Sequence, residues 1–239
     1  MVNSFDKNSV QGIIFDYGAT IDSNGVHWAE VIWDGYQDNQ VEVSKENFRD
    51  AYVFAERAMA KNRIILPEDD FRLLMQKKIE LQFSRLQELG FEFDSAKAKN
   101  VAEYCYNRAK ESVEKAKPIL RKLSEIYPLV LVSNFYGNIE AVLKDFDLIS
   151  LFPVIIESAV VGVRKPDPAI FQMGVDRFNC TSTNVLVVGD SYTKDIVPSI
   201  TIGCQAIWLK GKGWDSSEEA INFDNIIYSF EELLTLFDI

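Results

Sequence analysis

The chain has 239 residues, of which 47% are hydrophobic and 26% charged, close to the average soluble globular protein. This length fits one large domain or two small ones. The 25 Lys and Arg residues against 36 Asp and Glu give a net charge of −11. That balance argues against a partner that is nucleic acid or acidic membrane, because phosphate backbones repel such a surface. It does not exclude a small anionic substrate in a locally positive pocket.

Targeting and redox features point to a cytoplasmic protein. No run approaches the roughly 18 uninterrupted apolar residues that a membrane helix needs, and the polar segment 1–11 does not follow the plan of a secretory signal. Cys105, Cys180 and Cys204 are odd in number and far apart. Neither a disulfide framework nor a zinc site is therefore expected, and reduced thiols that pack as small hydrophobic groups fit best.

Short apolar runs recur along the chain, and each is typical of a strand buried on both faces of a parallel sheet. The strong runs are 12–16, 128–133, 185–190 and 206–209, and a weaker one covers 153–156. Helical patterns lie between them, at about 115–126, 138–147, 168–178 and 192–202, and Ser229 with Glu232 forms a capping-box pattern before the last helix. This alternation predicts an α/β fold with a doubly wound, Rossmann-like parallel sheet.

The segment from 22 to 113 has a different character. It is rich in Glu, Lys, Arg, Gln, Ala and aromatic residues and shows helical spacing. One amphipathic stripe comprises Phe71, Leu74, Met75, Ile79 and Phe83. We therefore predict an all-helical domain at 22–113, inserted into a core formed by 1–21 and 114–239.

Polar side chains follow the ends of several predicted strands. Asp16, Ser133 and Asp190 each end an apolar run, and ligands of an open parallel sheet bind beyond those ends. Lys165 lies in a proline-rich loop, and Asp195 follows Asp190 by about one helical turn. Carboxylates suit a hard divalent cation, Mg²⁺ above all, whereas an ammonium and a hydroxyl suit phosphate oxygens. An aspartate at such a place can also act as a nucleophile.

These segments resemble, in order and spacing, the motifs of the haloacid dehalogenase-like superfamily of hydrolases. The first motif is Phe15-Asp16-Tyr17-Gly18-Ala19-Thr20-Ile21, and the second is Val132-Ser133-Asn134. The third is Arg164-Lys165-Pro166-Asp167-Pro168, and the fourth is Gly189-Asp190-Ser191-Tyr192-Thr193-Lys194-Asp195. The helical insert matches the position and size of that superfamily's cap domain.

The resemblance implies a Mg²⁺-dependent phosphatase of a small phosphorylated metabolite, with an aspartyl-phosphate intermediate. Asp16 would be the nucleophile. The metal would be held by Asp16, the carbonyl of Gly18, Asp190 and Asp195, the last of which could instead position Lys165. The phosphate would be bound by Ser133, Asn134 and Lys165, and neutralising its charge is the main catalytic task in such chemistry.

One departure from the family pattern concerns the acid. The usual phosphatase of this family has a second aspartate two residues after the nucleophile, and this chain has Gly18 there. General acid–base help is typically worth about 10²–10⁴ in rate. Some members of the superfamily with Gly at this position are phosphatases, so we expect a weakened or specialised enzyme that favours good leaving groups. The candidates for a replacement acid are His27, the single histidine, and less strongly Tyr17 and Asp22.

Other functions stay open at this stage. A binding or regulatory protein that keeps the fold without turnover is one alternative, and a metal-free 2-haloacid dehalogenase with Asp16 attacking carbon is another. Dehalogenases of the superfamily usually carry Tyr where this chain has Gly18. Phosphonate cleavage would need a Schiff-base lysine in the cap, for which the candidates are Lys61, Lys77 and Lys78. The sequence does not indicate the oligomeric state.

Overall fold

The centre of the molecule is a six-stranded parallel sheet with the strand order β3-β2-β1-β4-β5-β6. The structure is a computed structural model that describes residues 5–214 and 216–239; residues 1–4 and 215 of the predicted core lie outside the described residues. The strands are β1 (Gly12–Phe15), β2 (Leu129–Ser133), β3 (Val154–Glu157), β4 (Val185–Gly189), β5 (Gln205–Leu209) and β6 (Ile226–Ile227).

The α/β fold and all five predicted strands are confirmed. Strands β1, β2, β4 and β5 are buried along their whole length, because helices cover both faces of the sheet and leave no polar face. Strand β6 was not predicted; at two residues it is too short to show any periodicity. Since β1 pairs with both β2 and β4, the carboxyl ends of these three strands are neighbours.

Four helices fill the chain between β1 and β2: α1 (Trp28–Asp38), α2 (Lys45–Lys61), α3 (Phe71–Glu88) and α4 (Ser95–Ser124). A side-chain cap begins each of them; for example, Ser44 accepts from the N–H of Asn47 and Asp70 from that of Leu73. The predicted stripe of α3 is buried throughout, which confirms that amphipathic helix. The insert is therefore helical.

Helix α4 differs from the sequence-based expectation. A separate helix was predicted at about 115–126, but α4 runs through 30 residues and includes Pro118. Its buried positions Val113, Ala116, Ile119 and Leu120 keep helical spacing across the predicted boundary at 113/114. The division between the inserted cap and the core at that point stays a prediction, and it falls inside one continuous helix.

The remaining helices are shorter and follow the strands of the sheet. They are α5 (Ile139–Asp145), α6 (Ser158–Val161), α7 (Ala169–Val175), α8 (Val197–Thr201) and α9 (Glu232–Phe237), with a π-helical turn at Tyr192–Ile196 before α8. The predicted capping box before α9 is half formed: the Glu232 carboxylate accepts from the backbone N–H of Ser229, and the helix itself begins at Glu232.

The cysteines are packing groups. All three are free, and Cys105 and Cys204 are buried. Burial raises the pKa of both of these thiols to about 12, so neither is a reactive thiolate near neutral pH. Among the described residues, no helix is long and apolar enough to cross a membrane.

Candidate active site

Asp16 and Asp190 meet at the carboxyl ends of β1 and β4. The backbone N–H of Asp16 donates to the carbonyl of Val188 at 3.0 Å, which continues the β1–β4 ladder to the first residue beyond the strand. The hydroxyl of Thr20 lies between the two carboxylates, 3.1 Å from Asp16 Oδ2 and 3.2 Å from Asp190 Oδ1. Thr20 belongs to the first motif, where the sequence indicated no role for it, and the structure assigns it to this bridge.

Lys165 lies between two carboxylates. Its Nζ is 2.6 Å from Asp16 Oδ1 and 2.7 Å from Asp195 Oδ1, and the residue is only 4% exposed. Asp195 also accepts from the backbone N–H of Ser191 through Oδ2, at 3.1 Å. A Cβ on Gly189 would lie 2.5 Å from the Cβ of Asp195, so the glycine of the fourth motif permits this approach. The lysine is therefore fixed against Asp16.

Asn134, the residue directly after β2, holds the backbone of Lys165. Asn134 donates through Nδ2 to the carbonyl of Lys165 at 3.1 Å and accepts its N–H through Oδ1 at 3.0 Å. Both ends of this amide are thus in use, which favours a positioning role over the predicted phosphate contact. Ser133 ends β2, is buried and lines the cavity beside Asp16, where a phosphate contact stays a prediction.

The carboxylates crowd each other in a way that favours a bound cation. One oxygen from each of Asp16, Asp190 and Asp195 can be chosen so that all three lie within 4.8 Å of one another. Burial raises the pKa of Asp190, and the neighbouring charges of Asp195 and Asp16 raise it further. Burial also raises the pKa of Asp195 to about 6, against the opposing effect of Lys165. A hard divalent cation fits such an all-oxygen donor set.

The members of this acidic group differ in what they can offer a metal. Both oxygens of Asp195 have partners, one in Lys165 and one in Ser191, so its geometry favours positioning Lys165. Asp16 also has a partner on each oxygen, Lys165 on Oδ1 and Thr20 on Oδ2. Its Oδ2 and Asp190 Oδ1 nevertheless converge on the same hydroxyl of Thr20, which makes Asp16 and Asp190 the better pair of ligands. Gly18 lines the same cavity, and its predicted carbonyl contact to the metal stays a prediction.

These residues open into a cavity of about 560 Å³ between the sheet and the inserted helices. That size is typical of a small-molecule site. Its sheet side includes Asp16, Gly18, Ser133, Lys165 and Asp190. Its helical side includes Trp28, Tyr52, Glu56, Leu74 and Lys78.

The position of the missing acid is open space. A Cβ built on Gly18 would meet no atom within 4 Å, and the φ of Gly18 lies outside the left-handed region. Glycine is therefore required here neither by crowding nor by backbone strain, and an aspartate would fit. Lack of space therefore does not explain why this chain has no acid at position 18.

Two of the candidate replacement acids are occupied or remote. Tyr17 is fully buried with its ring edge-on to Phe135, as expected for a side chain that points away from Asp16. Burial raises the pKa of Asp22 to about 8. Its two oxygens nevertheless accept from Trp28 Nε1 at 3.0 Å and from the N–H of Ala19 at 2.7 Å. Asp22 therefore bonds the turn after β1, where Ala19 has a φ of +65°.

His27 serves as the N-cap of α1. Its Nδ1 accepts from the backbone N–H of Ala29 at 3.1 Å, and its ring packs against those of Trp214 and Tyr52. Burial lowers the pKa of His27 to about 4, and the charge of Lys194 acts in the same direction. The imidazole is then neutral near pH 7, which makes it a poor donor of a proton to a leaving group.

Because His27 caps α1 as a neutral imidazole, we expect the stability of the folded protein to depend on pH. The folded-state pKa of His27 lies below the ordinary histidine value of 6.5, so the unfolded chain binds more protons between pH 6.5 and 4. The stabilisation is complete above that window and is lost as the pH falls through it. When the pH falls from 7 to 5, we expect the free energy of unfolding to drop by about 1–2 kcal/mol more in the wild type than in His27→Ser, which keeps a capping hydroxyl. Urea unfolding at both pH values measures this, and parallel losses in the two proteins would contradict it.

With the fold and this site established, comparison with known proteins gives the family. The sequence profile of the haloacid dehalogenase-like hydrolases matches residues 10–198, so the chain belongs to that family of enzymes. It is 34% identical over 103 residues to the haloacid dehalogenase-like hydrolase domain-containing protein 3 of Danio rerio, across 43% of each chain. It is 28% identical over 108 residues to the glyceraldehyde 3-phosphate phosphatase of Pyrococcus abyssi, across 45% of each. These matches span less than half the length of either relative.

Solved structures agree on the fold. The L-2-haloacid dehalogenase of Xanthobacter autotrophicus superposes with a TM-score of 0.59, over 96% of this chain and 98% of that chain. The two sequences are only 14% identical, so this likeness concerns the fold and carries no information about the reaction. The hydrolase family and the α/β core with inserted helices are thereby confirmed.

Proposed function

We propose that this hydrolase is a Mg²⁺-dependent phosphatase that acts on a small phosphorylated metabolite. The observation that carries the proposal is the contact of Asp16 with Lys165 at 2.6 Å, beside Asp190, at the floor of a cavity. The curated relatives whose names state a phosphatase activity support it. A cytoplasmic location stays a prediction from the sequence.

Asp16 would carry the phosphoryl group. Its carboxylate attacks phosphorus as the bond to the leaving oxygen breaks, and the departing oxygen takes its proton from solvent. Water then attacks the aspartyl phosphate, which releases inorganic phosphate and restores the carboxylate. Lys165 and Ser133 would contact the transferring oxygens, while Asp195 and Asn134 hold the lysine in place.

Asp16 and Asp190 would hold the Mg²⁺ ion, with the carbonyl of Gly18 as a further ligand. When bound, the ion would neutralise charge on the phosphoryl oxygens and between the two carboxylates. This second effect matters here because the pKa of Asp190 is raised by burial and by its acidic neighbours. The same crowding is why we place metal-free dehalogenation behind phosphatase activity, since it would leave the pair uncompensated.

Hydrolysis of p-nitrophenyl phosphate is the direct test. We expect turnover with Mg²⁺ that disappears with a chelator and returns when the metal is restored. Because no acid occupies position 18, an aryl ester should exceed an alkyl ester such as glycerol 1-phosphate by about 10²-fold or more in kcat. The measurement is kcat and KM for both esters at saturating Mg²⁺.

Other outcomes of this assay favour the alternatives. Equal turnover of aryl and alkyl esters would contradict the argument from the missing acid. Halide release from a 2-haloacid without metal would favour a dehalogenase. Phosphate binding without any turnover would favour a binding or regulatory member of the fold.

A further inference from the structure

A second polar cluster lies on the helical side of the cavity. Lys78 of α3 is 4% exposed, and its Nζ is 2.7 Å from Glu56 Oε1 and 2.9 Å from the hydroxyl of Tyr136. That hydroxyl in turn donates to Glu56 Oε2 at 2.8 Å. The three side chains, named here the Lys78 cluster, therefore close a ring of contacts between α2, α3 and the loop after β2.

The charge state of Lys78 separates it from a Schiff-base lysine. Burial alone would lower the pKa of Lys78, but the charge of Glu56 and the phenol group of Tyr52 raise it overall. The side chain is thus an ammonium rather than the free amine that condenses with a carbonyl. The other two candidates are no better placed: Lys77 pairs with Asp69, and Lys61 is exposed outside this cavity.

The cluster has hydrogen-bonding capacity left for a ligand. An ammonium has three N–H donors, and the hydroxyl of Tyr136 accepts from one of them. Glu56 Oε1 is buried and forms an ion pair with the ammonium at 2.7 Å, but among the described residues it makes no hydrogen bond of good geometry. At least one N–H of Lys78 and the acceptor Glu56 Oε1 therefore keep hydrogen-bonding capacity, and both side chains line the cavity.

The net charge of the cluster selects the chemistry of that ligand. Glu56 neutralises Lys78, so a carboxylate brought to the ammonium would also meet the charge of Glu56. A hydroxyl group donates and accepts at once and matches the pair without such a conflict. The rings of Tyr52 and Trp214, stacked with centroids 5.0 Å apart, line the same cavity and offer apolar surface to a carbon skeleton.

The Lys78 cluster also lies close to the residues that would bind the phosphate. Tyr136 follows Ser133 by three residues, which span at most about 10 Å of chain. Both residues line the one cavity of about 560 Å³. A single small molecule can therefore present a phosphate to Asp16 and its other end to Lys78.

We propose that the Lys78 cluster is the leaving-group subsite, and that it selects phosphate esters of neutral polyhydroxylated compounds over esters that carry a carboxylate. This inference rests on the proposed phosphatase function. Lys78 would donate to a hydroxyl of the leaving group and Glu56 would accept from it. Loss of either partner leaves a buried polar group unpaired, and this makes such a subsite discriminating.

The test compares substrates as well as variants. Ribose 5-phosphate is the hydroxylated probe, phosphoglycolate the carboxylated one, and p-nitrophenyl phosphate the ester without either group. The variants are Lys78→Met and Glu56→Gln, the second of which keeps the side-chain shape. Lys77→Met, on the same helix but paired with Asp69, is the matched control. Thermal unfolding confirms that each variant is folded.

We expect the wild type to prefer ribose 5-phosphate over phosphoglycolate by at least about 10-fold in kcat/KM. Lys78→Met and Glu56→Gln should lower kcat/KM for ribose 5-phosphate by roughly 10–100-fold more than they lower kcat/KM for p-nitrophenyl phosphate. Lys77→Met should leave the ratio of the two esters within about threefold. Equal losses on both esters, or a wild-type preference for phosphoglycolate, would overturn the assignment.

A binding measurement separates this inference from the proposed function. Calorimetric titration of ribose 5-phosphate into Asp16→Asn needs no turnover, and adding Lys78→Met to that variant should weaken binding by roughly 10-fold or more. Binding that depends on Lys78, together with a wild type that hydrolyses no phosphate ester, would sustain the subsite and reject the phosphatase. Turnover of p-nitrophenyl phosphate with binding indifferent to Lys78 would sustain the phosphatase and reject the subsite.

Discussion

Asp16→Asn is expected to lose phosphatase turnover by at least about 10³-fold without losing stability. The amide keeps the shape of the carboxylate but is not a nucleophile, so the aspartyl phosphate cannot form. Lys165 retains its contact of 2.7 Å with Asp195, and that second partner keeps the buried ammonium from being left alone.

The stability half of this prediction follows from the charge of the site. Asp16, Asp190 and Asp195 face the single ammonium of Lys165, and the pKa of Asp190 is raised by burial and by both other carboxylates. Without metal, removing the charge of Asp16 relieves part of this repulsion. We therefore expect a Tm equal to or above that of the wild type, as is common where a site is organised for function rather than for stability.

With Mg²⁺ present, the wild type should instead have a higher Tm than Asp16→Asn. A ligand that binds only the folded state stabilises it by an amount that grows with its concentration over Kd. The wild type should gain Tm with Mg²⁺, and Asp16→Asn, which has lost one carboxylate ligand, should gain less. Thermal scans with a chelator and with millimolar Mg²⁺ measure both effects, and Lys77→Met serves as the control away from the site. A variant that keeps wild-type turnover would remove Asp16 from the role of nucleophile.

The parts of the structure that were predictable from sequence are those with a local signal. The buried strands are runs of apolar residues, and the reactive positions Asp16, Ser133 and Asp190 stand directly at or beyond their ends. Parallel sheets bring such ends to one edge, so a pattern in sequence implies proximity in space. Lys165 follows no strand directly, and it was predicted from its proline-rich loop and from the third motif of the family.

The parts that were not predictable depend on tertiary contacts. Asn134 stands beside Ser133 in sequence, but only the fold shows its amide holding the backbone of Lys165. The Lys78 cluster joins positions 56, 78 and 136, which are related by no period. From the sequence, Lys78 was a candidate only for a Schiff base, because its partner Glu56 lies on another helix.

Gly18→Asp is the second change with a large expected effect, and here activity should rise. The position faces the cavity, a Cβ there meets nothing within 4 Å, and the backbone is not in the left-handed region. A carboxyl group would therefore fit where a leaving oxygen needs a proton. For an alkyl ester such as glycerol 1-phosphate we expect kcat to increase by about 10²-fold, at the low end of general acid–base contributions.

Comparison with Gly18→Asn decides whether the increase in kcat comes from proton transfer to the leaving group. Asparagine has the same size and can donate a hydrogen bond, but it cannot exchange a proton with the leaving group. Only the aspartate variant should reduce the difference in kcat between aryl and alkyl esters, because p-nitrophenolate leaves with little need of an acid. It should also be less stable without Mg²⁺, because a further carboxylate joins Asp16 and Asp190. An equal gain in both variants, or none in either, would mean that protonation of the leaving group does not limit this enzyme.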